Sequence, residues 1–253
     1  MSTSIAQLIG GYGENRIIDG EYDESLAARC FNGIFVGRAF GSSVEYRGIP
    51  YAKPPVGKLR WKRPEPVEDC DKVYEAYYNG KTPIQTEIAS ERASYYPQGE
   101  DCLRLNIWIN RADENKNKTV MVFFHGGSYG WGGTADPLDD GKAFVTTHPD
   151  IVLVTVGYRV GLLGFVDFSD VIGGENFPDS ANLGLLDQIE ALRWVQKNIK
   201  AFGGNPDNIT IFGESAGGGS VSLLPLIKGS HKYFKRVIAQ SGSPVFTRST
   251  EEA

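Results

Sequence analysis

The stretch that most constrains this chain is Asn208-Ile209-Thr210-Ile211-Phe212-Gly213-Glu214-Ser215-Ala216-Gly217-Gly218-Gly219-Ser220. An apolar, β-branched run reads as a buried strand, stops at Gly213, and gives way to small residues that open a helix. Gly213-x-Ser215-x-Gly217 is the pattern of a nucleophile elbow, a tight strand-to-helix turn that lifts a serine hydroxyl clear of the sheet. Side chains at the two glycines would collide where the helix turns back against its strand, and the turn needs backbone angles that a Cβ disfavours. The helix beginning at the serine points its unpaired N–H groups at any negative charge that develops there. An ornamental glycine-rich turn spells the same letters, so the elbow is weighed against the rest of the chain.

The surrounding grammar suits it. Val120 to Phe124, Ile151 to Val156, Ile209 to Phe212 and Val237 to Ala239 are apolar runs, as in strands covered on both faces. Leu186, Ile189, Leu192, Val195 and Ile199 fall near helical spacing, predicting an amphipathic helix from about 183 to 202 that Gly203-Gly204 stops. Alternating strands and helices predict a mostly parallel sheet with helices on both faces. Ahead of this lies a β portion. Ile34 to Arg38 and Ser43 to Ile49 read as short strands, and Leu103 to Ile109 alternates like a half-buried one. Pro50, Pro54, Pro55, Pro64 and Pro66 force an extended, non-helical segment from Tyr51 to Val67. Residues up to about 30 read as a surface arm. No repeat or linker divides the chain, so 1–253 is read as one domain.

The totals exclude some partners. With 26 basic against 31 acidic side chains and a net charge of -5, nucleic acid is not an expected partner. No stretch reads as a membrane span or a secretory leader. Three cysteines, Cys30, Cys70 and Cys102, without a CxxC, predict free thiols rather than a disulfide framework or a zinc site. No metal and no organic cofactor is expected.

A second glycine-rich segment carries chemistry. His125-Gly126-Gly127-Ser128-Tyr129-Gly130-Trp131-Gly132-Gly133 directly follows the strand ending at Phe124. In a parallel sheet the loops after the strands gather at one edge, so this loop and the elbow share it. Glycines let backbone N–H groups approach a substrate oxygen and, with the amide after the serine, form an oxyanion hole. A tight loop or a phosphate cradle is the competing reading. The chain lacks GxxxxGK[ST] and a complete GxGxxG at a strand–helix junction.

Together with Gly48-Ile49-Pro50-Tyr51-Ala52-Lys53-Pro54-Pro55-Val56-Gly57, Glu100-Asp101-Cys102-Leu103-Arg104-Leu105-Asn106-Ile107-Trp108, Gly157-Tyr158-Arg159-Val160-Gly161 and the run from Asn182 to Gly218, these segments resemble a type-B carboxylesterase, in the cholinesterase-like branch of the α/β-hydrolases. They follow that family's order from about residue 33 to the end. The resemblance implies an α/β-hydrolase fold with an N-terminal antiparallel β portion, and a serine hydrolase of small carboxylic esters. It implies Ser215 as nucleophile and Gly127, Ser128 and Ala216 as the oxyanion-hole amides, Ser128 standing where many relatives have glycine. Tyr129 and Trp131 fit either a pocket wall or the core. Glu214 fits either an electrostatic role beside the serine or a structural hydrogen bond. Secreted relatives pair a cysteine at the position of Cys102 with one upstream, where this chain reads Lys81-Thr82-Pro83-Ile84-Gln85. The absent partner predicts a cytoplasmic protein. An arginine at the position of Arg60 implies a buried ion pair with Glu100.

The family's acid and histidine lie beyond this sequence, so the resemblance implies that the C-terminal part of the fold is missing here. A C-terminal fragment or second chain is the expected partner. Of the three histidines, His148 and His231 fall at the wrong end of their elements, and His125 sits in a loop built to present amides. None is placed as a general base for Ser215. A non-catalytic interaction protein on the same fold, or an inactive fragment, is the competing expectation.

Overall fold

The structure, a computed structural model, describes residues 13–85, 97–247 and 249. Among these residues ten strands run in chain order: β1 Ala27–Cys30, β2 Asn32–Val36, β3 Arg38–Phe40, β4 Ser43–Pro50, β5 Cys70–Glu75, β6 Arg104–Asn110, β7 Lys118–Phe124, β8 Ile151–Val156, β9 Gly204–Glu214 and β10 Arg236–Gln240. Four α-helices accompany them: α1 Lys142–Thr147, α2 Gly161–Gly164, α3 Leu183–Asn198 and α4 Ala216–Leu223. Seven strands form the main sheet, in the order β10-β9-β7-β8-β6-β4-β3. From β10 to β8 the pairings are parallel, and from β8 through β6 and β4 to β3 they are antiparallel. The sheet is thus the expected parallel one with an antiparallel N-terminal portion. A second, three-stranded sheet, β1-β2-β5, stands apart from it.

The middle of the main sheet is covered on both faces. Val120, Val122 and Phe124 of β7 join Ile209 and Ile211 of β9 and Leu192 and Val195 of α3 in the larger core. On the opposite face Trp108, Val145 and Leu153 pack with Met121, Phe144 and Phe212 under α1. Met121 and Phe123 are only half-buried, so β7 is not the two-sided buried strand that its continuous apolar run suggested. The reverse holds for β6. Its alternation suggested one wet face, yet Asn106 and Trp108 are fully buried, because α1 packs over Trp108 and the loop at Thr134 reaches Asn106. The Gly48 amide donates to Asn106 Oδ1 (2.8 Å), and Asn106 Nδ2 donates to the Thr134 carbonyl (3.1 Å), so burial leaves the amide satisfied.

Other expectations need correction. The arm before residue 30 ends in β1, which pairs antiparallel with β2, while residues 1–12 lie outside the described ones. The proline-rich segment carries one 3-10 turn at Gly57–Leu59. The helix appears where its period put it, ending through a 3-10 turn at Ile199–Phe202 and a left-handed Gly203 (φ 80°). Its buried face is rotated from the expected one: Leu186 and Ile189 are only half-buried, while Asp187, Gln188, Glu190 and Asn198 are buried. Those polar groups have work. Asn198 Oδ1 accepts from the Phe31 amide (3.2 Å), and Trp194 Nε1 donates to Asn32 Oδ1 (3.0 Å), tying α3 to the start of β2. Asp187 takes three bonds from Arg159: backbone N (3.0 Å), Nε (2.8 Å) and an Nη (2.7 Å).

The Arg60–Glu100 pair forms, bidentate at 2.6 Å. It is not the buried pair expected: the Arg60 side chain is 43% exposed, so solvent screens it. Cys30, Cys70 and Cys102 are free thiols, Cys102 buried and the other two half-buried. No helix among the described residues is long and apolar enough to cross a membrane.

Candidate active site

Strands β7, β9 and β10 run parallel, so the loops after Phe124, Glu214 and Gln240 emerge at one edge. Ser215 sits there with φ 55° and ψ -119°, a conformation that side chains rarely adopt. Surrounding contacts over-determine it. The Ser215 amide donates to the Gln240 carbonyl (2.8 Å), and the Gly219 amide donates to the Ser215 carbonyl (2.9 Å). A Cβ on Gly217 would land on the Phe124 carbonyl, and one on Gly213 would come within 2.5 Å of the Gly217 backbone. The steric reason for Gly-x-Ser-x-Gly is therefore met atom by atom.

The glycine loop folds over this turn. A Cβ built on Gly126 would lie 3.2 Å from Ser215 Cβ and 2.9 Å from both a carboxylate oxygen and the carbonyl of Glu214. The loop reverses through four left-handed residues, Gly127 (φ 104°), Ser128 (52°), Tyr129 (58°) and Gly132 (110°). Gly130 and Trp131 both donate to the Gly127 carbonyl (2.9 and 3.0 Å), and Gly161 donates to that of Tyr129 (2.6 Å). The amides of Gly127 and Ser128 donate to no acceptor among the described residues. That of Ala216, the first residue of α4, has no intrahelical acceptor either.

The remaining predicted residues separate. Tyr129 faces inward, its ring 4.8 Å from that of Phe165 and its hydroxyl beside Ser220 (3.4 Å). Trp131 is 38% exposed at the rim, packed over Gly127. Glu214 is exposed. Nearby Asp139 has its carboxyl pushed up to about 7, by burial first and then by the charges of Asp136 and Glu214.

Among the described residues the Ser215 hydroxyl has no hydrogen-bond partner, and no histidine is aimed at it. His125 is buried, stacked on Tyr158 with centroids 4.2 Å apart, its Nδ1 on the Gly126 carbonyl (2.8 Å). Burial depresses its pKa to about 4, so it stays neutral. His148 caps the C-terminal end of α1, before β8 and hence at the opposite edge. His231 is exposed in the 3-10 turn Ser230–Lys232.

The carboxylesterase family model matches residues 31–252, most of the chain. The chain belongs to the carboxylesterase family. It is 42% identical to a para-nitrobenzyl esterase of Bacillus subtilis (strain 168) over 201 residues, 79% of this chain and 40% of that one. It is 42% identical to a cholinesterase of Mus musculus over 224 residues, 84% of this chain and 36% of that one. A crystal structure of the Geobacillus stearothermophilus carboxylesterase EST55 at pH 6.2 superposes with a TM-score of 0.78 at 42% identity, covering 87% of this chain and 44% of that one. The chain thus spans about two fifths of the length of these relatives.

One contributor escaped sequence reasoning. The Gly132 amide donates to Gln85 Oε1 (2.8 Å), and Gln85 Nε2 donates back to the Gly132 carbonyl (2.9 Å). The two residues lie 47 positions apart, and no motif links them.

Proposed function

We propose that this chain supplies the nucleophile and oxyanion hole of a serine carboxylesterase acting on small-molecule esters. The observation that carries this reading is the elbow itself: in a carboxylesterase-family chain, a strained Ser215 is held against a loop with undonated amides. Ser215 Oγ attacks the ester carbonyl carbon while its proton passes to a base. The oxygen that becomes negative is held by the amides of Gly127, Ser128 and Ala216. The alcohol leaves with a proton, and water then attacks the acyl-serine to release the acid and restore the hydroxyl. Trp131, at the rim, forms part of the substrate wall, and Glu214 shapes the field beside the serine.

The base and its acid come from the rest of the fold, on the same polypeptide or a second one. The exposed outer edge of β10 is where it adds, by strand pairing and by covering Val237 and Ile238. A cytoplasmic location accords with three free thiols. No nucleic acid or membrane enters this function. The second reading is a non-catalytic interaction protein, favoured by one observation: no described histidine is aimed at Ser215.

A fluorophosphonate probe separates the two. In the completed protein it should label Ser215, and Ser215→Ala should abolish both labelling and ester hydrolysis. An unlabelled Ser215 in a folded, completed protein would establish the interaction reading instead.

A further inference from the structure

The geometry points to Gln85 as a positioning residue for the oxyanion loop, fastening its far end to the paired residues 82–85 and 97–99. This rests on the reading of Gly127 and Ser128 as oxyanion donors. A loop with four left-handed residues in six positions, from Gly127 to Gly132, has little intrinsic preference for its shape, so its shape is set by its tie points. Two ties are internal or backbone: the Gly127 carbonyl, which accepts from Gly130 and Trp131, and the Tyr129 carbonyl, which accepts from Gly161. The third is a side chain. The primary amide of Gln85 satisfies both backbone groups of Gly132, at 2.8 and 2.9 Å, in the manner of a strand partner.

Gln85 is itself held. Its Nε2 also donates to the Pro83 carbonyl (2.9 Å), and its backbone amide donates to Gln98 Oε1 (3.0 Å). Residues 82–85 are held to 97–99, where the Thr82 amide donates to the Pro97 carbonyl and the Gly99 amide to that of Thr82, both at 2.9 Å. Thr82 and Pro83 lie directly on Gly133, where an added Cβ would stand 3.0 Å from Thr82 Cγ2. Gly132 in turn abuts the His125 ring, so it has no room for a side chain and cannot shift inward. Releasing Gly132 would free the Trp131–Gly132 peptide and loosen the turn that closes on the Gly127 carbonyl. The amides of Gly127 and Ser128 would then lose their aim. A glutamine suits this post and a carboxylate does not: Gly132 and Pro83 present two carbonyls that need a donor.

The test uses the intact protein with two readouts, hydrogen exchange in the 126–133 peptide and steady-state ester hydrolysis. Gln85→Ala should speed exchange in that peptide while β7 and β9 stay protected. It should lower kcat about 10- to 100-fold, as expected for mis-aimed catalytic groups, with KM nearly unchanged. Gln85→Glu should loosen the loop at neutral pH and regain protection, relative to intrinsic exchange, as pH falls through the carboxyl's ordinary range near about 4.3, where an O–H donor returns. This variant also decides the matter should the alanine protein not fold. Unchanged exchange in both variants would overturn the clamp, and faster exchange with unchanged kcat would overturn the positioning role. A wild-type protein that hydrolyses nothing and takes no fluorophosphonate would defeat the esterase reading, while the exchange data would still decide the clamp.

Discussion

β9 and β10 lie side by side, run in the same direction and carry similar apolar sequences, yet they occupy different environments. Ile209 and Ile211 of β9 are fully buried in the larger core, with β7 and β10 paired to both edges of their strand, although α4 packs on β9 and β10 alike. Every residue of β10 is exposed, Val237 at 39% and Ile238 at 45%, because among the described residues only β9 pairs with it. An apolar β-branched run therefore specifies a strand but not its burial. Burial comes from the neighbours, and the strand with neighbours on both sides carries the strained serine at its end. A conformation that costs free energy can be held only where surrounding contacts over-determine it.

The sharpest way to break this contrast is one substitution made twice. Ile211→Ala should cost about 2–5 kcal/mol, the usual loss for truncating a buried isoleucine. Ile238→Ala should cost under about 1 kcal/mol, since much of that side chain already meets solvent. Urea denaturation of both variants checks this, and equal costs would erase the distinction between the strands.

Next comes the acid limb of the pH profile. His125, at the end of β7 beside the elbow, has a folded pKa depressed by burial to about 4. Its contribution is fully present above the unfolded value near about 6.5 and is lost as pH falls, because the unfolded chain binds the proton first. Stability should drop by about 2 kcal/mol between pH 6.5 and 5 from this group, and His125→Asn should flatten that slope in denaturation series. Asp139 has the opposite sign. Its pKa is raised to about 7, so its contribution is present at low pH and lost as pH rises through about 7. Asp139→Asn should remove that fall, which lies between the unfolded value of about 3.9 and about 7, and leave the slope above pH 7 unchanged.

Two smaller effects follow. Ile238→Lys should change stability by no more than about 0.5 kcal/mol while reducing self-association, since a charge blunts an exposed strand edge. Light scattering would show this, and unchanged association would place the sticky surface elsewhere. Glu100→Gln should shift the melting temperature by no more than about 2 °C, because the pair is screened through an arginine that is 43% exposed. A large shift would mean that the pair is less screened than its exposure implies.

Much of the site was legible in the sequence because its constraints are local. Gly213, Ser215 and Gly217 are fixed by clashes within one strand–turn–helix unit, and the loop from His125 to Gly133 follows directly on its strand. The helix from 183 to 202 declared itself by period and by the glycine that ends it. β5 was not legible: Cys70-Asp71-Lys72-Val73-Tyr74-Glu75 has no apolar run and becomes a strand by pairing with β2. The buried face of α3 was misjudged for a related reason. Asp187 and Asn198 turn inward because Arg159 and Phe31 present the complementary groups, and period alone cannot count partners.

By itself, then, the sequence determined the elbow, the glycine loop, the alternation of strands and helices, and the family to which they belong. Steric exclusion and hydrophobic period act over a few residues and can be read from those residues. Tertiary structure alone decided which apolar strand is buried, that the Arg60–Glu100 pair is screened, that His125 is held neutral, and that Gln85 grips Gly132. Each of these depends on solvent access or on a partner at least 20 residues away, and so exists only once the chain has closed on itself.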